Sequence, residues 1–246
     1  MISSPKILYH IKSQYSDISV VEENNIRLLQ FNFGSGMCRD QSGTHVNYPY
    51  FHVFDYSLLA MCAFAFVSNP SNILMVGMGG AIIINHVYRF LPSVNVDIIE
   101  IDPEIPKIAS EYFNFKPNSN TNIIMGDAFG VVNKIKNEKS YDIIFVDVFD
   151  SDYMPKGVQK KEFISAIKQM LKNEGVATWN ITSEHDTYKQ HIKNMISVFG
   201  DNMYYLKGPR NPVSQTCYLV KGDLKPNKSI FFASPYNLMP RKMFYV

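Results

Sequence analysis

The chain has 246 residues, 46% of them hydrophobic, enough to close one sizeable core with a small appendage. Its 24 basic and 22 acidic side chains leave a formal net charge of +2, which argues against a polyanion-binding surface and so against nucleic acid as partner. Cys38, Cys62 and Cys217 lack metal-ligand or redox spacing, and neither the N-terminus nor the longest apolar run (Leu58 to Val67) has the length of an export or membrane segment, so a soluble cytoplasmic protein with reduced thiols is expected.

In chain order, Tyr15–Val21 and Ile26–Phe33 read as short strands joined by the polar turn Glu22–Asn25, and predict a small antiparallel unit over residues 1–50. Gly34, Gly36 and Gly43 mark loops. From Tyr50 to Val67 the pattern is helical, and Ser68-Asn69-Pro70 stops it. A regular alternation follows. Strands are predicted at Ile73–Val76, Val96–Glu100, Asn122–Met125, Ile143–Asp147 and Val176–Asn180, with helices such as Pro103–Phe113 and Lys160–Leu171 between them. Near-continuous apolar strands alternating with helices predict an α/β domain over residues 51–222 with a doubly wound, mostly parallel sheet. After a helix at Glu184–Phe199, Met203–Lys207 and Thr216–Val220 are expected to form an antiparallel edge. The tail over 223–246 is basic and reads as solvated.

The densest chemical signal is Ile73-Leu-Met-Val-Gly77-Met-Gly79-Gly80, followed by Glu100 at the end of the next strand. Closely spaced glycines let backbone approach a ligand, and an acid on the next strand accepts hydrogen bonds from ribose hydroxyls. Ile82 stands where a dinucleotide fingerprint needs its third glycine, so a mononucleoside such as a sulfonium nucleoside is the better match. In such sheets ligands bind outside the carboxyl ends of the strands. Four successive strands present glycine or carboxylate there: Gly77 and Gly79, Glu100 and Asp102, Asp127, and then Asp147 and Asp150. Asp127 reads both as the cap of the helix beginning at Ala128 and as an acceptor for an adenine amino group, whereas Asp102 reads as a cap before Pro103. Asp147 and Asp150 form a cation-binding mouth in which one carboxylate anchors an ammonium and the other takes a proton from an attacking amine. A turn merely rich in Asp and Ser, and a metal site, are the competing readings of that pair; no His or Cys accompanies it, and no metal is expected. The six histidines show no ligand spacing, and His86 reads as packed.

These residues resemble the polyamine aminopropyltransferase (spermidine synthase) family, in particular its spermidine synthase-like bacterial branch. The resemblance runs from about Ser13 to Val220 and is carried by Ser13-Gln-Tyr15-Ser-Asp-Ile18-Ser-Val20, Asp40-Gln41-Ser42, Val76-Gly77-Met-Gly79-Gly80, Glu100-Ile101-Asp102-Pro103, Gly126-Asp127-Ala128 and Tyr141–Asp147 in family order. It implies a methyltransferase-like Rossmann fold behind a small N-terminal β unit, in a homodimer or higher homo-oligomer. It also implies no prosthetic group, decarboxylated S-adenosylmethionine as co-substrate, putrescine or a related amine as acceptor, and methylthioadenosine as product. By the same resemblance Asp147 is the general base, and Asp150, Gln41 and Tyr56 contact substrate. Gly77, Gly79, Glu100, Ile101, Asp127 and Ala128 then hold the nucleoside. A lid over Ser151–Lys161 is a further expectation. Three departures stand out: Gly80 occupies the position of a family acid, Tyr56-Ser57-Leu58 replaces an aromatic-His-Glu segment, and Asn180-Ile181-Thr182 replaces a Gln-Gly-Glu-like segment. The alternatives on these residues are an S-adenosylmethionine-dependent methyltransferase and a non-catalytic nucleoside-binding protein of the same fold.

Overall fold

The computed structural model describes residues 5–32, 38–150 and 154–227, and the backbone of 244–245. Its N-terminal part is an antiparallel sheet in sequence order, β1 (Lys6–Lys12), β2 (Asp17–Glu23), β3 (Ile26–Phe31) and β4 (Arg39–His45). Asn24 and Asn25, both at positive φ (51° and 62°), make the tight β2–β3 hairpin, as the polar turn predicted. β1 is an addition to the expected unit. Gly43 is a correction: it lies inside β4, and a Cβ there would come within 2.9 Å of the Val53 and Phe54 side chains. The glycine lets the strand approach the next segment and does not mark a turn. Gly34 and Gly36 lie outside the described residues.

The helix expected from Tyr50 to Val67 is shorter, consisting of α1 (Asp55–Met61) and a 3-10 turn (Cys62–Ala65). Residues 50–54 are not helical, and His52 among them is buried with its ring 3.9 Å from that of His86. His86 is packed, as expected. The main sheet is built from β5 (Asn72–Val76), β6 (Asn95–Glu100), β7 (Thr121–Met125), β8 (Tyr141–Val146), β9 (Leu171–Thr182), β10 (Met203–Lys207), β11 (Ser214–Val220) and β12 (Phe244–Tyr245). The intervening helices are α2 (Ile82–Phe90), α3 (Glu104–Tyr112), α4 (Ala128–Ile135), α5 (Lys161–Met170) and α6 (Tyr188–Phe199). Strand order is β12-β10-β11-β9-β8-β5-β6-β7. The five strands from β9 to β7 run parallel, and β11 runs antiparallel to both β9 and β10. The expected α/β architecture is therefore borne out, including its antiparallel edge.

Alternation along each strand feeds two cores, because successive side chains point to opposite faces. Ile73 and Met75 of β5 join Leu59, Ile84 and Ile108, from α1, α2 and α3, and also Val20 and Leu29 of the N-terminal sheet. Leu74 and Val76 join Val132, Ile167 and Met195, from α4, α5 and α6. The chain leaves β5 toward β6 and β7 and returns on the other side at β8. That reversal opens a crevice at the carboxyl ends of β5 and β8, where such sheets take their ligands.

Candidate active site

A single cleft of about 1280 Å³ runs along this edge and is lined by Gln41, Tyr56, Gly77, Gly79, Glu100, Ile101, Asp127, Ala128, Asp147 and Asp150. The structure thus brings together every residue expected at the site. Two local features shape its middle. Gly77 has φ +84°, and a Cβ there would sit 2.3 Å from the carbonyl oxygen of Asp147. Only glycine lets the turn after β5 pass so close to the end of β8. The Asp147 amide in turn donates to the Val76 carbonyl at 2.9 Å, fixing that carboxylate beside the glycine turn.

On the side of the glycine turn and β6, Glu100 is 8% exposed. Its Oε2 accepts the Met78 amide at 2.9 Å, and its Oε1 accepts the amides of Ile101 (2.7 Å) and Asp102 (2.9 Å). Burial raises its pKa, and these amide donors oppose the shift. A carboxylate has about four acceptor positions, so the turn engages most of them and leaves little beyond one for a ligand donor. Ile101, at 37% exposure, lies on the lip of the cleft. Asp127 caps α4 by accepting the Gly130 amide at 2.9 Å, and its exposed carboxylate faces the same cleft. Asp102 caps α3 through the Glu104 amide and also accepts Ser13 Oγ, tying the β1–β2 turn to the end of β6.

On the other side, Asp147 Oδ1 accepts a hydrogen bond from Asn180 Nδ2 at 2.9 Å. Burial pushes the Asp147 carboxyl up to about 6, against the lowering effect of that bond. At neutral pH the group is ionised yet basic enough to accept a proton. Burial and the Asp147 charge both raise the pKa of the nearby Tyr56 phenol, which stays neutral and donates to Ser42 Oγ at 3.3 Å. Asp150 stands at the exposed rim. The first residues of the expected lid, 151–153, lie outside the described residues, and Met154–Lys160 form turns leading into α5.

Three features of the site went unassigned from the sequence. Asn180 sits at the carboxyl end of its strand, so the strand-end rule that found Asp147 also reaches it. Ser42, on β4, accepts the Gly80 amide at 2.9 Å. A Cβ at Gly80 would come within 2.9 Å of Ser42 and 3.1 Å of Phe113, so those side chains occupy the space an acid would need. The third is an ion pair between Asp55 and Arg210, both on the cleft wall.

The family model for the spermine/spermidine synthase domain matches residues 54–222. The chain belongs to the spermine/spermidine synthase family. A polyamine aminopropyltransferase of Vibrio vulnificus is 31% identical over 217 residues, covering 85% of this chain and 70% of that protein. Spermidine synthase from Thermotoga maritima shares the fold with a TM-score of 0.73 at 17% identity, over 98% of this chain and 81% of that one. Human methyltransferase-like protein 13, solved with SAH, superposes with a TM-score of 0.63 at 19% identity, over 71% and 84% of the two chains. The reading as an aminopropyltransferase, and hence as a transferase enzyme, is borne out through the family. Among the described residues no helix is long and apolar enough to cross a membrane, and no group of three or more His, Cys, Asp or Glu side chains is placed to hold a metal.

Proposed function

We propose that the protein transfers the aminopropyl group of decarboxylated S-adenosylmethionine to the nitrogen of putrescine or a related amine, with Asp147 as general base. The observation that carries this reading is the position of Asp147, ionisable near pH 6, at the centre of a cleft with glycine turn and nucleoside acids on one side and Asp150 on the other. The nucleoside lies over Gly77 and Gly79, with Glu100 and Ile101 at its ribose and Asp127 and Ala128 at its adenine. The amine enters past Asp150, Gln41 and Tyr56.

The chemistry asks little else of the site. A sulfonium carries its own leaving group, a neutral thioether, so the protein supplies in-line placement and a deprotonated nucleophile. An alkylamine is almost wholly protonated at neutral pH, and an ammonium cannot attack carbon. Asp147 takes that proton, the nitrogen lone pair forms the new C–N bond, and the C–S electron pair leaves on sulfur as methylthioadenosine. Asn180 steadies one carboxylate oxygen and leaves the other for the amine. The working unit is a cytoplasmic homo-oligomer, divided as residues 1–50, 51–222 and 223–246. The exposed aromatics Tyr48, Tyr50 and Phe51 supply an apolar face for such an assembly. Purified protein incubated with decarboxylated S-adenosylmethionine and a panel of di- and polyamines is expected to release methylthioadenosine with at least one of them. Release with none would overturn the assignment.

A further inference from the structure

Sheet order lays the cleft out as a sequence of stations. β7, β6 and β5 deliver Asp127, Glu100 and Gly77, β8 and β9 deliver Asp147 and Asn180, and the loop between β10 and β11 closes the far end with Arg210, Asn211 and Val213. Given the aminopropyl-transfer reading, on which this inference rests, that loop walls the end where the amine binds. A guanidinium in such a wall is unexpected, because it repels the cationic acceptor.

Asp55 resolves the conflict. Its side chain is 2% exposed, against 46% for Arg210. Its Oδ1 accepts Arg210 Nε at 2.6 Å, and its Oδ2 accepts the backbone amides of both Arg210 and Asn211 at 2.8 Å. The loop is shaped to fit: a Cβ at Gly208 would meet Asp55 Oδ2 at 2.5 Å and the Asn211 carbonyl at 2.4 Å. Asp55 opens α1, whose next residue is Tyr56, and α1 is tied to β11 by the Tyr218 hydroxyl donating to the Leu59 carbonyl at 2.6 Å. One carboxylate therefore fastens the acceptor wall to the helix that carries Tyr56, and cancels the charge of the guanidinium in that wall.

We infer that Asp55 and Arg210 are positioning residues for the amine acceptor, acting as a neutral pair that lets a cationic substrate lie against the β10–β11 loop. The carboxylates of Asp147, Asp150 and Glu184, which line the same cleft, then set the sign of the field that the cationic amine meets.

The test is calorimetric binding of putrescine to the full-length protein preloaded with methylthioadenosine, alongside the acceptor KM. Asp55→Asn leaves a bare guanidinium and is expected to weaken putrescine binding about thirtyfold, whereas Arg210→Gln, which removes the cation, weakens it only about threefold. The double variant is expected to return close to the Arg210→Gln value, with methylthioadenosine affinity within about twofold throughout. Arg210→Lys, which keeps the pair neutral but not the fork, is expected to bind putrescine within about threefold of the native protein, and it decides the matter if Asp55→Asn does not fold. Additive losses in the double variant, a loss in Arg210→Lys as large as that in Asp55→Asn, or a parallel loss of methylthioadenosine affinity would each overturn the inference and leave the pair a purely structural staple. Failure of every amine to turn over contradicts the proposed reaction instead, and is read separately from these affinities.

Discussion

The two halves of the cleft are built by different means. On the nucleoside side the carboxylates are set by neighbouring backbone: Glu100 accepts amides from its own turn and from the glycine turn, and Asp127 accepts one from the first turn of α4. On the amine side, side-chain partners from elements remote in sequence are added to backbone donors. Asn180 reaches Asp147 from the neighbouring strand, and Asp55 reaches Arg210 over a separation of 155 residues. Backbone donors hold an anion rigidly whatever the side chains nearby. Side-chain partners can be exchanged, so the amine side is where acceptor preference is open to change without loss of the nucleoside site.

Substitutions that strike one half and spare the other test this contrast. The largest effect is expected from Asp147→Asn, which keeps the shape of the group and removes the base. The single-turnover rate is expected to fall by roughly two to four orders of magnitude, with methylthioadenosine affinity nearly unchanged by calorimetry. Gly77→Ala strikes the seam between the halves. Its Cβ would collide with the Asp147 carbonyl at a backbone angle alanine adopts only under strain, so a loss on the order of 1–3 kcal/mol in urea unfolding and weaker nucleoside binding are expected together. Asn180→Ala removes the bond that holds the Asp147 pKa down, so the acid limb of the rate profile is expected to move to higher pH. A limb that does not move would show that Asn180 does not tune the base.

The smallest effect concerns stability. The Asp147 pKa is raised on folding from 3.8 to about 6, so the folded state binds the proton more tightly than the unfolded chain. Its contribution is fully present below about pH 4 and is lost as pH rises through 6. Asp147→Asn is therefore expected to raise the unfolding free energy at pH 7 by on the order of 1 kcal/mol once screening in the open cleft is allowed for, read as a higher melting temperature, and to have no such effect at pH 4. A destabilised variant at pH 7 would contradict the burial account.

The same contrast explains what was legible in the sequence. β5, β6, β7 and β8 are apolar runs that end in a glycine or an acid, so fold class, strand order along the chain and the residues Gly77, Glu100, Asp127 and Asp147 could be read from local pattern. Gly43 could not, because its role is set by the later Val53 and Phe54 side chains rather than by a turn. The burial of His52 against His86 just before the helix start, and the crowding of Gly80 by Ser42 of another sheet, are contacts between segments remote in sequence. The pairing of Asp55 with Arg210 has no local signature at all. Asn180 was within reach, since it ends a predicted strand and opens the segment that departs from the family pattern; its amide, neither charged nor nucleophilic, carries no local sign that it bonds Asp147.

The central claim is that Asp147, with its raised pKa, takes the proton from the attacking amine. The most direct measurement is the pH dependence of kcat at saturating donor and amine, for the native protein and for Asp147→Asn. The account predicts a native profile that falls on the acid side of about pH 6, and a residual activity in the variant that lacks this limb. The same limb persisting in Asp147→Asn would place the base elsewhere.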